Sequence, residues 1–334
     1  KRSGTTCLAQ SPVKSMEASR LVRGSASGGA RSLTTQLARA RSAGEVLQLV
    51  QHHLHDFDHI HTTTCLYALA KRRGSLGGGA VGSGDAAGKT IAALVRRQDL
   101  YLQEGALDGR QLANTLWAAA TLPEVLSMPT ALLRQVASRL GRRADSLNHQ
   151  DVSNSLWAMA TLEVQLEDGC LDVAHRLACS QAVAERSAEF KPQELSNCLW
   201  AIASLACHSA APAAEALFAA AASRRSELEP QHVANSMWAF ATLHLPHCAP
   251  SLDGLAREAC RRVDFFKSQE VSNIAWSMST AVQGASWVPT MVVLAGAAPR
   301  RTSEFKAQEL VNTMWAFAAA IEHGVCSRSE ASKS

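Results

Sequence analysis

Five arginines recur at one fixed distance from a tryptophan. Arg143, Arg186, Arg224, Arg262 and Arg301 lie fourteen residues ahead of Trp157, Trp200, Trp238, Trp276 and Trp315. A guanidinium is a permanent cation with a planar fork of donors that matches phosphate oxygens, and evenly spaced cations suit a polyanionic backbone. The same residues also suit the C-terminal end of a helix, where a cation offsets the dipole. A second chemistry is carboxamide. Gln150/Asn154, Gln193/Asn197, Gln231/Asn235, Gln269/Asn273 and Gln308/Asn312 are four apart, and Asn114 holds the same place in an earlier copy. Step four puts both amides on one helical face. Such amides either tie neighbouring units together in a ladder that satisfies buried polar groups or touch nucleobases. The ladder is the expectation, because an element identical in every unit cannot encode a varied sequence. The third chemistry is aromatic: Trp117, Trp157, Trp200, Trp238, Trp276, Trp315 and, in the first copy, Tyr67. Indoles stack on bases, but leucine and alanine neighbours assign these to the core.

A repeat must position all three. The tryptophans are spaced by 40, 43, 38, 38 and 39 residues. Tyr67, in TTTCLYALAK, stands fifty residues upstream of Trp117, the extra length being the Gly-rich insert GSLGGGAVGSGDAAGK at 74–89. Seven copies thus cover residues 44–323. Around Trp200, Leu195, Leu199, Ile202 and Leu205 repeat at helical steps. Pro192, Pro230 or Ser268 marks the helix start, and Asp151, Glu194, Glu270 and Glu309 suit its positive end. Ten residues before each aromatic comes one apolar residue, Phe57, Leu107, Leu147, Phe190, Leu228, Phe266 or Phe305, read as a plug between two helices. The first half of each copy, for example LLRQVASRLGRR or LDVAHRLACSQAVAERS, is helical as well. One such pair cannot bury its own apolar face, whereas a stack does. The expected fold is all-α, a right-handed α-solenoid of about seven helical hairpins with 38–40-residue repeats. A strip beside the amides varies between copies (Gln111/Thr115, Asp151/Ser155, Glu194/Cys198, His232/Ser236, Glu270/Ile274, Glu309/Thr313); such variation suits a base-per-repeat code or a solvated face, and the solvated face is the expectation because its acids would repel phosphates.

The flanks differ in composition. Residues 1–43 are rich in Ser, Ala, Arg and Gly, with Glu17 their only acid; this is the composition of an organellar transit leader or of a disordered linker. Residues 1–50 carry eight Lys/Arg and two acids, a charge of +6, so the chain's net +4 leaves −2 on the rest. A nucleic-acid surface on the repeats must therefore be a stripe. Residues 324–334 form a short tail. Nine cysteines occur without paired spacing, which favours reduced, mostly buried thiols over a zinc site or disulfides. GSGDAAGKT at 82–90 has Ser83 where a phosphate loop needs glycine. His55 and His59 lack an obvious third metal ligand. The expectation is no metal, no cofactor, no catalytic residue and no membrane-spanning segment.

The phrase Gln-x-Leu-x-Asn-x-Leu-Trp-Ala-x-Ala, as in QELSNCLWAIA at 193–203, resembles the octotricopeptide repeat family and the repeats of organellar RNA proteins of algae, dinoflagellates and apicomplexans. The resemblance covers about four-fifths of the chain. It implies a helical-hairpin solenoid that binds single-stranded RNA or ribosomal RNA in mitochondria or chloroplasts, acting in RNA stabilisation, processing, translation or ribosome assembly. Many relatives carry a C-terminal nuclease-like RAP domain; only eleven residues follow His323 here, and no enzymatic role is expected. The competing expectation is a scaffold that binds proteins, or a structural subunit of a large organellar complex.

Overall fold

The computed structural model describes residues 28–76, 86–162, 170–281 and 287–322. Most of the leader, the centre of the Gly-rich insert and the tail at 324–334 lie outside them. The described residues are helical, with short 3₁₀ turns between helices and no strand among them. None of these helices is long and apolar enough to cross a membrane. The chain divides into two compact units, one of residues 1–107 and 124–126, the other of 108–123 and 127–334.

In the first unit, α1 (Gly28–Arg39), α2 (Ala43–His53), α3 (His59–Lys71) and α4 (Ala86–Gln103) pack on one another. The leader thus ends in a helix, α1, that buries Leu33 and Leu37 and packs on α3. Residues 86–89, the end of the insert, are the first turn of α4. Ser42 caps α2 by accepting from the Glu45 N–H. Asp58 caps α3 in a reciprocal box: its Oδ1 accepts from the His61 N–H at 2.9 Å, and His61 Nδ1 accepts from the Asp58 N–H at 3.3 Å.

In the second unit the tryptophan-bearing helices are α5 (Gly109–Thr121), α7 (His149–Thr161), α10 (Pro192–Ser204), α12 (Pro230–Leu243), α14 (Ser268–Ala281) and α16 (Ala307–Glu322). They pack side by side in chain order. The intervening helices form a second layer: α6 (Thr130–Gly141), α8 (Cys170–Ala178), α9 (Gln181–Arg186), α11 (Ala211–Ser223), α13 (Ala249–Arg261) and α15 (Trp287–Ala297). Each packs on a neighbour in this layer and on at least one adjacent tryptophan helix, as in an α-solenoid. LDVAHRLACSQAVAERS is two helices, α8 and α9, because Ser180 is extended (φ −63°, ψ 157°) and begins a new helix.

Each hairpin closes in the same way. The second-layer helix ends in a 3₁₀ turn, and one apolar residue then turns extended before the tryptophan helix begins. Leu147, Phe190, Leu228, Phe266 and Phe305 all have φ between −61° and −80° and ψ between 132° and 146°. The first four of these are buried, as a plug requires, while Phe305 is only partly buried. Gly109 leaves room for one of them: a Cβ on it would lie 2.5 Å from Leu147 Cδ2. Pro192 and Pro230 are first residues of their helices, where the missing N–H is an orphan anyway.

Candidate nucleic-acid interface

The arginines do not form a rail of free cations. An extended plug residue cannot give its carbonyl to a helical ladder, and a buried carbonyl needs a donor. The next repeat supplies it. Arg224 Nη1 donates to the Phe190 carbonyl oxygen at 2.6 Å, and Arg262 Nη1 donates to that of Leu228 at 2.6 Å. Arg301 Nη2 reaches the Val263 carbonyl at 3.1 Å, at the start of the same linker. The first unit repeats the device with other residues: Arg97 Nη2 and Tyr101 Oη donate to the Phe57 carbonyl at 2.6 and 2.7 Å, and Arg72 bonds the Ala38 and Ala40 carbonyls. Arg224 also forks onto Glu227 at 2.6 and 3.1 Å, which raises the pull on its proton and lowers the Glu227 carboxyl. Arg186 lies 3.9 Å from Glu189, and Arg143 is exposed. Side-chain exposure falls to 28% at Arg224, 23% at Arg262 and 11% at Arg301. These three are struts between repeats, placed where their helix ends.

The variable strip is not a solvated face either. Gln111, Asp151, Glu194 and Glu270 are buried. They stand at the third helical position, where a side chain reaches back to the first orphan N–H. Glu194 Oε2 accepts from the Lys191 N–H at 2.8 Å, Glu270 Oε2 from Lys267 at 2.8 Å and Glu309 Oε2 from Lys306 at 3.1 Å; Gln111 Oε1 does the same for Asp108 at 2.9 Å. Four residues on, Thr115, Ser155 and Thr313 donate to carbonyls one turn back. At the third position Gln111, Glu194 and His232 interchange as groups that accept from the first orphan N–H; four residues on, Ile274 has no polar atom and Ser236 Oγ has no partner among the described residues.

The tryptophans are not core residues. Trp117, Trp157, Trp200, Trp238 and Trp276 are half-buried, and Trp315 is 50% exposed. The core is filled from the other side, by residues one and five ahead of each indole and two beyond it, such as Leu199, Leu195 and Ile202. The residues four ahead and three beyond face the following repeat. Ser153 Oγ donates to the Glu194 carbonyl at 3.3 Å, Ser272 Oγ to that of Glu309 at 3.0 Å, and Ser279 Oγ to that of Ala316 at 2.8 Å. What remains is an arc of about 60°, at about 100° per residue. It holds a glutamine seven ahead, the asparagine three ahead, the indole, and a small residue, mostly Thr or Ser, four beyond.

The asparagine ladder is absent as well. Asn114, Asn154, Asn197, Asn235 and Asn273 are half-buried, and their amides make no hydrogen bond among the described residues. Asn312 alone accepts, from Gln308 Nε2 at 2.9 Å within its own helix. The indole N–H groups of Trp157, Trp200, Trp238, Trp276 and Trp315 are likewise without a partner among the described residues. Apart from Arg110 the row is uncharged. Three cations that sequence reasoning passed over border it: Lys191, Lys267 and Lys306, exposed one residue before α10, α14 and α16, with no ion pair among the described residues. Their signal was a lysine nine residues ahead of the tryptophan in three copies.

Other chemistry is quiet. No group of three metal-ligating side chains exists among the described residues. Among the described residues Cys65, Cys179, Cys198, Cys207, Cys248 and Cys260 are free thiols, and Cys65, Cys198, Cys207 and Cys248 are buried. Burial pushes the Cys198 thiol up to about 12 and the Cys248 thiol up to about 11, so neither is a nucleophile at neutral pH. Asp151 is raised above the usual carboxylate range, chiefly by burial. No protein-family model matches the chain, and no curated protein matches it.

Proposed function

We propose that the chain is an organellar RNA-binding helical-repeat protein of octotricopeptide-like type, a right-handed α-solenoid of about seven hairpins, and that the asparagine–tryptophan row is where single-stranded RNA lies. The supporting observation is the pairing of a hydrogen-bond-free amide with a half-exposed indole, repeated in register on side-by-side helices. Buried or half-buried polar groups normally find partners within the protein; five asparagines that do not are poised for an external one. An indole face stacks on a base whatever its identity, and an amide engages a base edge. Lys191, Lys267 and Lys306, each at a positive helix end, supply phosphate contacts beside the row. Function in RNA stabilisation, processing, translation or ribosome assembly, in mitochondrion or chloroplast, belongs to the same proposal, as does the lack of catalysis.

One observation favours the alternative of a protein-binding scaffold. Residues 108–334 hold 19 Lys/Arg against 22 Asp/Glu, a net charge of −3, which repels a polyanion at long range. Ultraviolet crosslinking of the full chain to a random single-stranded RNA pool, with adducts mapped by mass spectrometry, separates the two. RNA adducts on the peptides that carry Trp157, Trp200, Trp238 and Trp276 are expected. Adducts confined to residues 1–50, or none at all, would leave the scaffold reading in place.

A further inference from the structure

A row of identical readers cannot ask a different question at each step. This inference rests on the RNA reading above and deepens it. The pairs Asn154/Trp157, Asn197/Trp200, Asn235/Trp238 and Asn273/Trp276 share one spacing, one helical face and one degree of burial, and Asn114/Trp117 repeats the pattern at the start of the row. Their neighbours on the exposed arc are also nearly constant: glutamine at Gln150, Gln193, Gln231 and Gln269, and Thr161, Ser204, Thr242 and Thr280 on the other side. The strip that does vary between copies is mostly buried, and its third-position members Gln111, Glu194, His232, Glu270 and Glu309 accept from their own helix ends, so those positions are taken up within the protein. A modular reader of mixed sequence needs varied side chains at the base-facing positions; this one has none.

We infer that the row binds a homopolymeric tract, one nucleotide per repeat, and that its preferred base is adenine. The amide of asparagine offers one acceptor and one donor side by side. Adenine presents a matching donor and acceptor on both of its free edges, N6–H with N7 and N6–H with N1. Guanine's N7 edge carries two acceptors and cannot pair with the amide's donor and acceptor together, so of its N7 and N1 edges only the N1 edge, O6 with N1–H, offers a matching pair. Cytosine and uracil offer such a pair on one edge only, and their single rings cover less of an indole. Adenine thus fits the amide in either orientation and stacks over the larger area. From Gln150 onward the arc is uncharged and adds no competing charged contact to a base, and the three lysines contact phosphate alone, which carries no sequence information.

The test is fluorescence anisotropy of labelled ten-nucleotide RNAs with the full chain at fixed salt. The set is oligo(A), oligo(U), oligo(C), a guanine-rich strand kept unstructured by lithium buffer, and a mixed sequence. Oligo(A) is expected to bind about tenfold or more tighter than the others. Asn197→Ala is expected to lower that affinity about tenfold, the loss of one two-bond amide–base contact, and to leave oligo(U) binding almost unchanged. Circular dichroism of the variant confirms that the helices persist. Equal affinity for the mixed strand and oligo(A) overturns the homopolymer inference while RNA binding stands. Preference for another homopolymer overturns adenine. No binding to any strand overturns the RNA reading together with it.

Discussion

At the scale of single residues, arginine and asparagine exchange the roles that their chemistry first implies. The cation is structural because an extended linker leaves a carbonyl that only a donor from the next repeat can reach. Arg224→Ala removes that donor from the Phe190 carbonyl and should lower stability by about 1.5–3 kcal/mol, the range for a hydrogen bond with a charged partner. The exposed contact with Glu227 adds little to this. Asn197→Ala loses no hydrogen bond within the protein. Alanine is the better helix former, so the variant should match or exceed the parent by about 0.5 kcal/mol. Urea unfolding of both variants checks the contrast; a destabilised Asn197→Ala would revive the ladder. Asp151 supplies a pH signature. Its folded pKa stands above its unfolded one, chiefly through burial, so its charge subtracts stability at pH values above the folded pKa. That penalty is relieved as pH falls through it. Asp151→Asn should therefore be more stable than the parent near pH 7, with the difference shrinking toward pH 4. A gap that widens on acidification would contradict the assignment.

At the scale of elements, the helices were legible and their faces were not. Pro192, Pro230 and Ser268 start helices where their types predict, and Leu147, Phe190 and Leu228 are buried plugs. These features follow from local rules that need no partner. On the outward side of each tryptophan helix residue type misleads. An indole flanked by leucine and alanine reads as core, and glutamate beside serine reads as surface. The stack reverses both. Glu194 is buried because it serves its own helix end, and Trp200 is half-exposed because Leu195, Leu199 and Ile202 already fill the interior. The arginine device shows the same limit, since a donor's target in the preceding repeat has no local sequence signal. Helix ends also carry strain that the sequence hides. Ala206, just beyond α10, sits in the left-handed region at φ 48°, which disfavours a Cβ by about 1–2 kcal/mol. Ala206→Gly should raise stability by about 0.5–1 kcal/mol after the extra flexibility of the unfolded glycine is subtracted. A lower melting temperature in this variant would contradict it.

At the scale of the whole molecule, the proposed RNA binding requires a body of net charge −3 over residues 108–334 to hold a polyanion. On that proposal most of the affinity comes from stacking and amide contact, with electrostatics secondary. Three lysines, Lys191, Lys267 and Lys306, border the row. At about −0.7 per contact they give a slope of log affinity against log salt near about −2. Five arginines on phosphates would have given about −3.5 on the same scale. A slope as steep as the larger figure would return the arginines to the interface.

The most direct test removes the indoles and keeps the struts. Affinity for single-stranded RNA is measured for the parent, for Trp200→Ala with Trp238→Ala, and for Arg262→Ala, each verified by circular dichroism to retain its helices. The account predicts that the double variant loses at least about 2 kcal/mol of binding, at about 1–3 kcal/mol per stacked base, while Arg262→Ala binds as the parent does once folded. Unchanged affinity in the double variant, with binding lost in Arg262→Ala, would contradict it.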